Sequence, residues 1–166
     1  MMATGKGSLG QFTADLTKWQ QQVKDKSDLL VQGFSQTLFN EVQSGGKYSP
    51  GTPIKTGFAR ANWDGGVGAI PANGPTITAE AAKADPGAGR AAAGVAKART
   101  EAAILTGKAG DVVYLSNTAP YIRRLEFGWS TQAPSGFIRL ALNSAQRIAD
   151  EVGAFLAGKR GPHGAQ

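Results

Sequence analysis

The stretch Phe12–Val42, FTADLTKWQQQVKDKSDLLVQGFSQTLFNEV, decides the reading of the fold. Its apolar residues fall at Phe12, Leu16, Trp19, Val23, Leu30, Phe34, Leu38 and Val42, in steps of four, three, four, seven, four, four and four. That is the period of one helix face, held over about eight turns. Lys26 stands where the stripe would carry a further apolar residue and Gly33 sits inside it, so a bend or break is expected near 26–33. Gly45 and Gly46 end the helix, and Ser49-Pro50-Gly51-Thr52-Pro53 continues as an extended or turn segment whose prolines donate no hydrogen bond.

Working outward, Thr56–Trp63 reads as a short turn or helix, and residues 62–67 as a strand, with Gly65, Gly66 and Gly68 marking a bulge or hairpin. Residues 70–79 alternate weakly around Ile77 and could pair as another strand. The Ala-rich segment 88–105 places Val95, Ala98, Ala102 and Leu105 three and four apart, a weakly amphipathic helix whose small side chains suit close packing or a mobile excursion. Asp111–Ser116 (Asp-Val-Val-Tyr-Leu-Ser) is the best strand in the chain and is expected to be central in its sheet. From about Pro134 to Leu156, Ile138, Ala141, Leu142, Ala145, Ile148, Ala149, Val152, Phe155 and Leu156 form the apolar stripe of a second long helix. The expected fold is α+β, with long N-terminal and C-terminal helices on a small, mostly antiparallel β-sheet and a Gly/Ala/Pro-rich loop or insertion in the middle. Residues 1–10 read as a flexible arm, 11–157 as one domain with a variable region at 64–110, and 158–166 as a flexible tail.

Composition narrows the function classes. The chain has 166 residues, no Cys, one His, and 18 Lys+Arg against 12 Asp+Glu for a net charge of +6. A disulfide-stapled domain and a Cys-based metal site are excluded, and no apolar run approaches a membrane span. Residues 1–10 carry no apolar stretch of a secretory signal, so synthesis in the cytoplasm is expected. The positive charge permits contact with nucleic acid, yet Lys24, Lys26, Lys83, Lys97 and Arg99 interleave with Asp25, Asp28, Asp85 and Glu101, which reads as a solvated face. No constellation nominates a reaction. His163 lies in a Gly/Pro-rich tail, Gly65-Gly66-Val67-Gly68 lacks the context of a dinucleotide loop, and Gly5-Lys6-Gly7-Ser8 lacks the first glycine of a phosphate loop. The chain is therefore not expected to be an enzyme or to hold a cofactor or metal.

Residues 116–139 read SNTAPYIRRLEFGWSTQAPSGFIR and gather Tyr121, Phe127, Trp129, Arg123, Arg124, Arg139 and Glu126 between the best strand and the last helix. Arg123 and Glu126 are spaced for a local ion pair. Two readings stand: a connection whose Leu125, Phe127 and Trp129 cap the core, or an interaction surface, because Trp, Tyr and Arg anchor interfaces. The run Val113–Tyr121, followed by Leu125-Glu126-Phe127-Gly128-Trp129-Ser130 and Gln132-Ala133-Pro134-Ser135-Gly136, resembles tail-component proteins of long-tailed bacteriophages, the HK97 gp10-like family. Thr52–Trp63, with its Thr56-Gly57 turn, is similar to the upstream segment of that family, whereas residues 64–110 match little. The resemblance implies a structural virion protein, a neck or tail-completion subunit assembled in the host cytoplasm. It implies a homo-oligomeric ring, hexamer or dodecamer, between the head-closure or connector proteins and the tail terminator or tail tube, in which any contact with DNA in the lumen would be passive. Arg60, Trp63, Tyr121, Arg123, Arg124, Glu126, Trp129 and Arg139 are the candidate interface set. The N-terminal helix is expected to pack on its own sheet or partly across a subunit boundary. A head-closure or tail-terminator ring of the same neck, and a basic DNA-binding accessory protein, are the competing readings.

Overall fold

The computed structural model describes residues 9–72 and 74–158. The elements run α1 (Leu9–Gln43), α2 (Phe58–Ala61), β1 (Trp63–Val67), α3 (Ala79–Ala84), α4 (Pro86–Ile104), β2 (Val113–Asn117), α5 (Ile122–Glu126), α6 (Ile138–Asn143) and α7 (Ala145–Leu156). The fold is α+β, with a small antiparallel sheet as expected. What was read of residues 1–8 and 159–166 lies outside the described residues, and α1 already begins at Leu9, inside the segment read as an arm.

The expected break in α1 does not occur: the helix is continuous over 35 residues. Gly33 serves packing instead, since a Cβ there would stand 2.9 Å from Val152 Cγ1 of α7. α7 runs antiparallel to α1, and its Leu156 and Ala157 reach the level of Val23 and Lys26. On its other side the C-terminal half of α1 enters the core, where Phe39 and Val42 join Trp63, Ile104, Ala133, Phe137 and Ala141. Each such side chain, fully buried, contributes about 1.5–3 kcal/mol, small Ala excepted. From Leu9 to Lys26, by contrast, every residue is exposed.

Among the described residues the sheet has two strands, paired from Trp63↔Asn117 to Val67↔Val113. β2 is thus an edge strand, not the expected central one. The described residues of 70–79 supply no third strand, and their threonines serve other contacts. Thr76 Oγ1 donates to Ala92 O at 3.0 Å and Thr78 Oγ1 accepts from Ala81 N at 3.2 Å, capping α3.

The region 64–110 holds most of β1, α3 and the 19-residue α4, so the strand expected at 62–67 and the helix expected at 88–105 are both present. Asp85 caps α4 by accepting from the N–H groups of Gly87 and Ala88, with Pro86 at the first helical position. The face expected to pack, Val95-Ala98-Ala102-Leu105, is the exposed one. Gly89, Ala93, Ala96, Thr100 and Ile104 are buried instead. The reason is close approach. A Cβ on Gly89 would sit 1.8 Å from Thr56 O, one on Gly57 (φ 87°) 2.3 Å from the Gly89 carbonyl, and one on Gly65 2.7 Å from Thr100 Cγ2. The smallest side chains of α4 let it lie directly on α2 and β1.

The C-terminal stripe likewise divides in two. α6 buries Ala141 under α1, the chain turns at Ser144, and α7 sets out along α1 with Ile148 fully buried. One straight helix could not serve both directions.

Candidate functional site

Thr52 is completely buried and joins three elements. Its N–H and Oγ1 both donate to Val42 O, at 2.8 and 2.9 Å, the Trp63 indole N–H donates to Oγ1 at 2.8 Å, and Arg60 Nε donates to Thr52 O at 2.7 Å. The segment 52–63 is thereby fixed to the end of α1. Trp63, only 4% exposed, is a core residue rather than a contact surface. Arg60 is half-buried, and desolvation lowers the pKa of its guanidinium from the ordinary value.

Glu126 is buried as well, and its carboxylate caps α6. It accepts from the backbone N–H of Phe137 (2.9 Å), Ile138 (2.8 Å) and Arg139 (3.1 Å), and Arg139 Nε meets it at 3.0 Å. Four orphan donors at a helix start attract negative charge, and here a carboxylate from α5 meets three N–H groups at once. The ion pair expected within the turn, Arg123 to Glu126, gives way to this long-range one, and Arg123 is exposed. Arg139 also donates through Nη2 to Glu126 O and Ser135 O, and its guanidinium lies 5.5 Å over the Phe127 ring.

The remaining members face outward. Trp129 is 72% exposed, with the Arg124 guanidinium 4.8 Å over its ring. It stands on the rim of a groove of about 470 Å³ lined by Pro53, Ile54, Tyr121, Leu125, Trp129 and Gln132 among others. Burial raises the Tyr121 phenol above its ordinary value. The Tyr121 ring packs 6.1 Å from that of Phe58. Gln132 ties the two walls together: its Oε1 accepts from Ile54 N and its Nε2 donates to Ile54 O, both at 3.0 Å. Segments 52–57 and 121–132 therefore form one surface although about 70 residues separate them.

Of the candidate set the structure brings Tyr121, Arg124 and Trp129 together at this groove. Arg123 is exposed on the same short helix, Arg60 lies inward, and Trp63, Glu126 and Arg139 hold the surrounding elements. Sequence reasoning missed Pro53, Ile54 and Gln132 as groove residues. Nothing in the spacing of segments 52–57 and 130–136 signalled that the amide of Gln132 would pair with the backbone of Ile54. No group of His, Asp or Glu among the described residues is placed to hold a metal ion, and His163 lies outside them.

Fold and surface together define an α+β domain that presents an aromatic and arginine-bearing groove to its surroundings. No helix among the described residues is long and apolar enough to cross a membrane. Comparison of the chain with protein-family models, curated proteins and solved structures finds no match.

Proposed function

We propose that this protein is a non-enzymatic structural subunit of a tailed-phage neck, a tail-completion protein that assembles as a homo-oligomeric ring between head connector and tail. The observation that carries the reading is the groove. Segments 52–63 and 116–136, in which the resemblance to phage tail-component proteins lies, meet across it, and Gln132 links them to Ile54. Residues that a core would need are spent inside, as Trp63 and Glu126 are. Trp129 and Arg124 remain outside as a stacked aromatic–guanidinium pair, the residue types that anchor protein contacts. In a neck this surface meets the adjoining ring, a head-closure or connector protein on one side or a tail terminator or tube protein on the other.

Electron microscopy of particles from a phage lacking this protein tests the reading. Full heads accumulating apart from tails are expected. Tails of aberrant length would instead favour the tail-terminator ring, leaking heads the head-closure ring, and normally joined virions would overturn the neck assignment. Trp129→Ala is expected to reproduce the junction defect while circular dichroism of the purified chain stays unchanged.

A further inference from the structure

The outer half of α1 carries an apolar stripe that stays exposed among the described residues. Phe12, Leu16, Trp19 and Val23 follow one another in steps of four, three and four, and all four are exposed, Trp19 by 60%. This is the face that α7 covers further along the same helix, where Gly33 meets Val152. The segment from Leu9 to Lys26 is about 27 Å long at the helical rise and is exposed at every residue, whereas isolated helices of that length are marginal in water.

A second unfilled feature lies at the other end of α1. Between α1, α7 and the end of α4 runs a groove of about 520 Å³, with Gly33 and Val152 in its floor and Leu29, Leu105 and Phe155 exposed on its rim. Asn40 also lines it, and its Oδ1 is buried with no hydrogen-bond partner among the described residues.

We propose that the outer half of α1 of one copy, with Trp19 as anchor, docks into the α1–α7 groove of the next copy, head to tail. Self-filling is sterically impossible. α1 is one unbroken helix, and Leu29, Gly33 and Asn40 of the groove belong to it, so Trp19 stays about 21 Å along the axis from Gly33 of its own chain. Residues 1–8 and 159–166 offer no large apolar side chain beyond Met1 and Met2 to cover either surface. The four stripe side chains expose on the order of 500 Å² and the three rim residues on the order of 400 Å². Together they come to about 900 Å² of apolar surface, close to the roughly 1,000 Å² of a small specific interface before any polar flank is counted. Each copy has one helix to give and one groove to receive, which is a heterologous contact, and such contacts close into a ring or run on as a filament. The inference deepens the neck reading, on which only the closure into a ring rests.

The test is sizing by light scattering and sedimentation of the full chain over a concentration series, with two variants. Trp19→Ala removes the anchor, and Phe155→Asp places a charge on the groove rim. Both residues are exposed, so both variants are expected to keep the wild-type circular dichroism, and Leu105→Asp repeats the groove lesion on α4. The wild type is expected to assemble beyond a dimer, and each variant to need about 30-fold or more higher concentration to do so. Mixed in equal amounts, the Trp19→Ala and Phe155→Asp proteins are expected to form a one-to-one heterodimer and nothing larger, since the only intact helix fills the only intact groove. A monomeric wild type, wild-type assembly by any of the three variants, or no heterodimer on mixing would overturn the proposal. A defect in Trp19→Ala alone would point instead to stripes pairing with each other. The neck reading is judged separately on the phage lacking the protein. Unjoined heads and tails together with a failed mixing experiment would retire this contact and keep the neck, and the reverse pair of results would do the opposite.

Discussion

Between Gly33 and Gln43, α1 is held on two sides, by α7 along one face and by Trp63, Phe137 and Ile104 along another. Between Leu9 and Lys26 every residue is exposed, although the apolar spacing is the same. One pattern thus has two outcomes, and the difference is supplied by what else the chain brings alongside. Helical periodicity states that a face seeks apolar cover. It does not state whose cover it finds.

The sharpest way to break this comparison is a pair of matched truncations. Phe39→Ala empties a fully buried site and is expected to cost about 3–5 kcal/mol of unfolding free energy, whereas Phe12→Ala on the outer half is expected to stay within about 0.5 kcal/mol at concentrations where the chain is monomeric. Urea denaturation of the two variants measures both, and equal losses would show that the outer half packs within the protomer.

A smaller effect sharpens the picture of the inner end. Glu41, buried near the end of α1, accepts from the backbone N–H groups of Lys47, Tyr48 and Ser49, each at 2.9 Å, and so folds the chain back toward Thr52. Glu41→Gln replaces a charge-assisted acceptor and is expected to cost about 2 kcal/mol in the same assay. A loss near zero would mean that the loop 44–51 is held by its other anchors, Ser49 Oγ on Phe137 O and Tyr48 on Glu151 among them.

Tyr121 lies between the two extremes, half-buried in the groove wall. Its folded pKa is raised by desolvation above the ordinary 10.0, so the folded state holds the phenolic proton more tightly than the unfolded one. The full stability is present below pH 10 and is lost as the pH rises through the folded pKa. Tyr121→Phe removes that slope, which comparison of alkaline denaturation curves checks. The smallest effect on folding is expected for Trp129→Ala, within about 0.5 kcal/mol by thermal or urea unfolding, because the ring is 72% exposed on the groove rim and stacks on the Arg124 guanidinium at the surface.

The sequence was most legible where one residue type had one role. The stripe of α1, the β-branched run of β2 and the apolar positions of α7 each announced their element through periodicity. Legibility failed where packing relied on absence of side chain. In α4 the larger residues Val95 and Leu105 drew the reading to the wrong face, while Gly89, Ala93 and Ala96 carried the contact, because a close backbone approach favours the smallest groups. It failed again at Glu126. Spacing paired it with Arg123, but three N–H groups at the start of α6 and Arg139 make a stronger claim on a buried carboxylate than one exposed neighbour. The groove itself was half legible: Tyr121 and Trp129 stood out by type, whereas Ile54 and Gln132 acquired their part only by meeting.

By itself the sequence determined the α+β class, the two ends built of amphipathic helix and a strand within 111–116, since these follow from local propensity and the repeat of apolar residues along one chain. Only the tertiary structure decided which aromatic residues are core and which are surface. Trp19, Trp63 and Trp129 are alike as letters, and their exposures of 60, 4 and 72% depend on elements far away in sequence that either arrive to cover them or do not. Burial is a property of the assembled neighbourhood, and no local rule contains it.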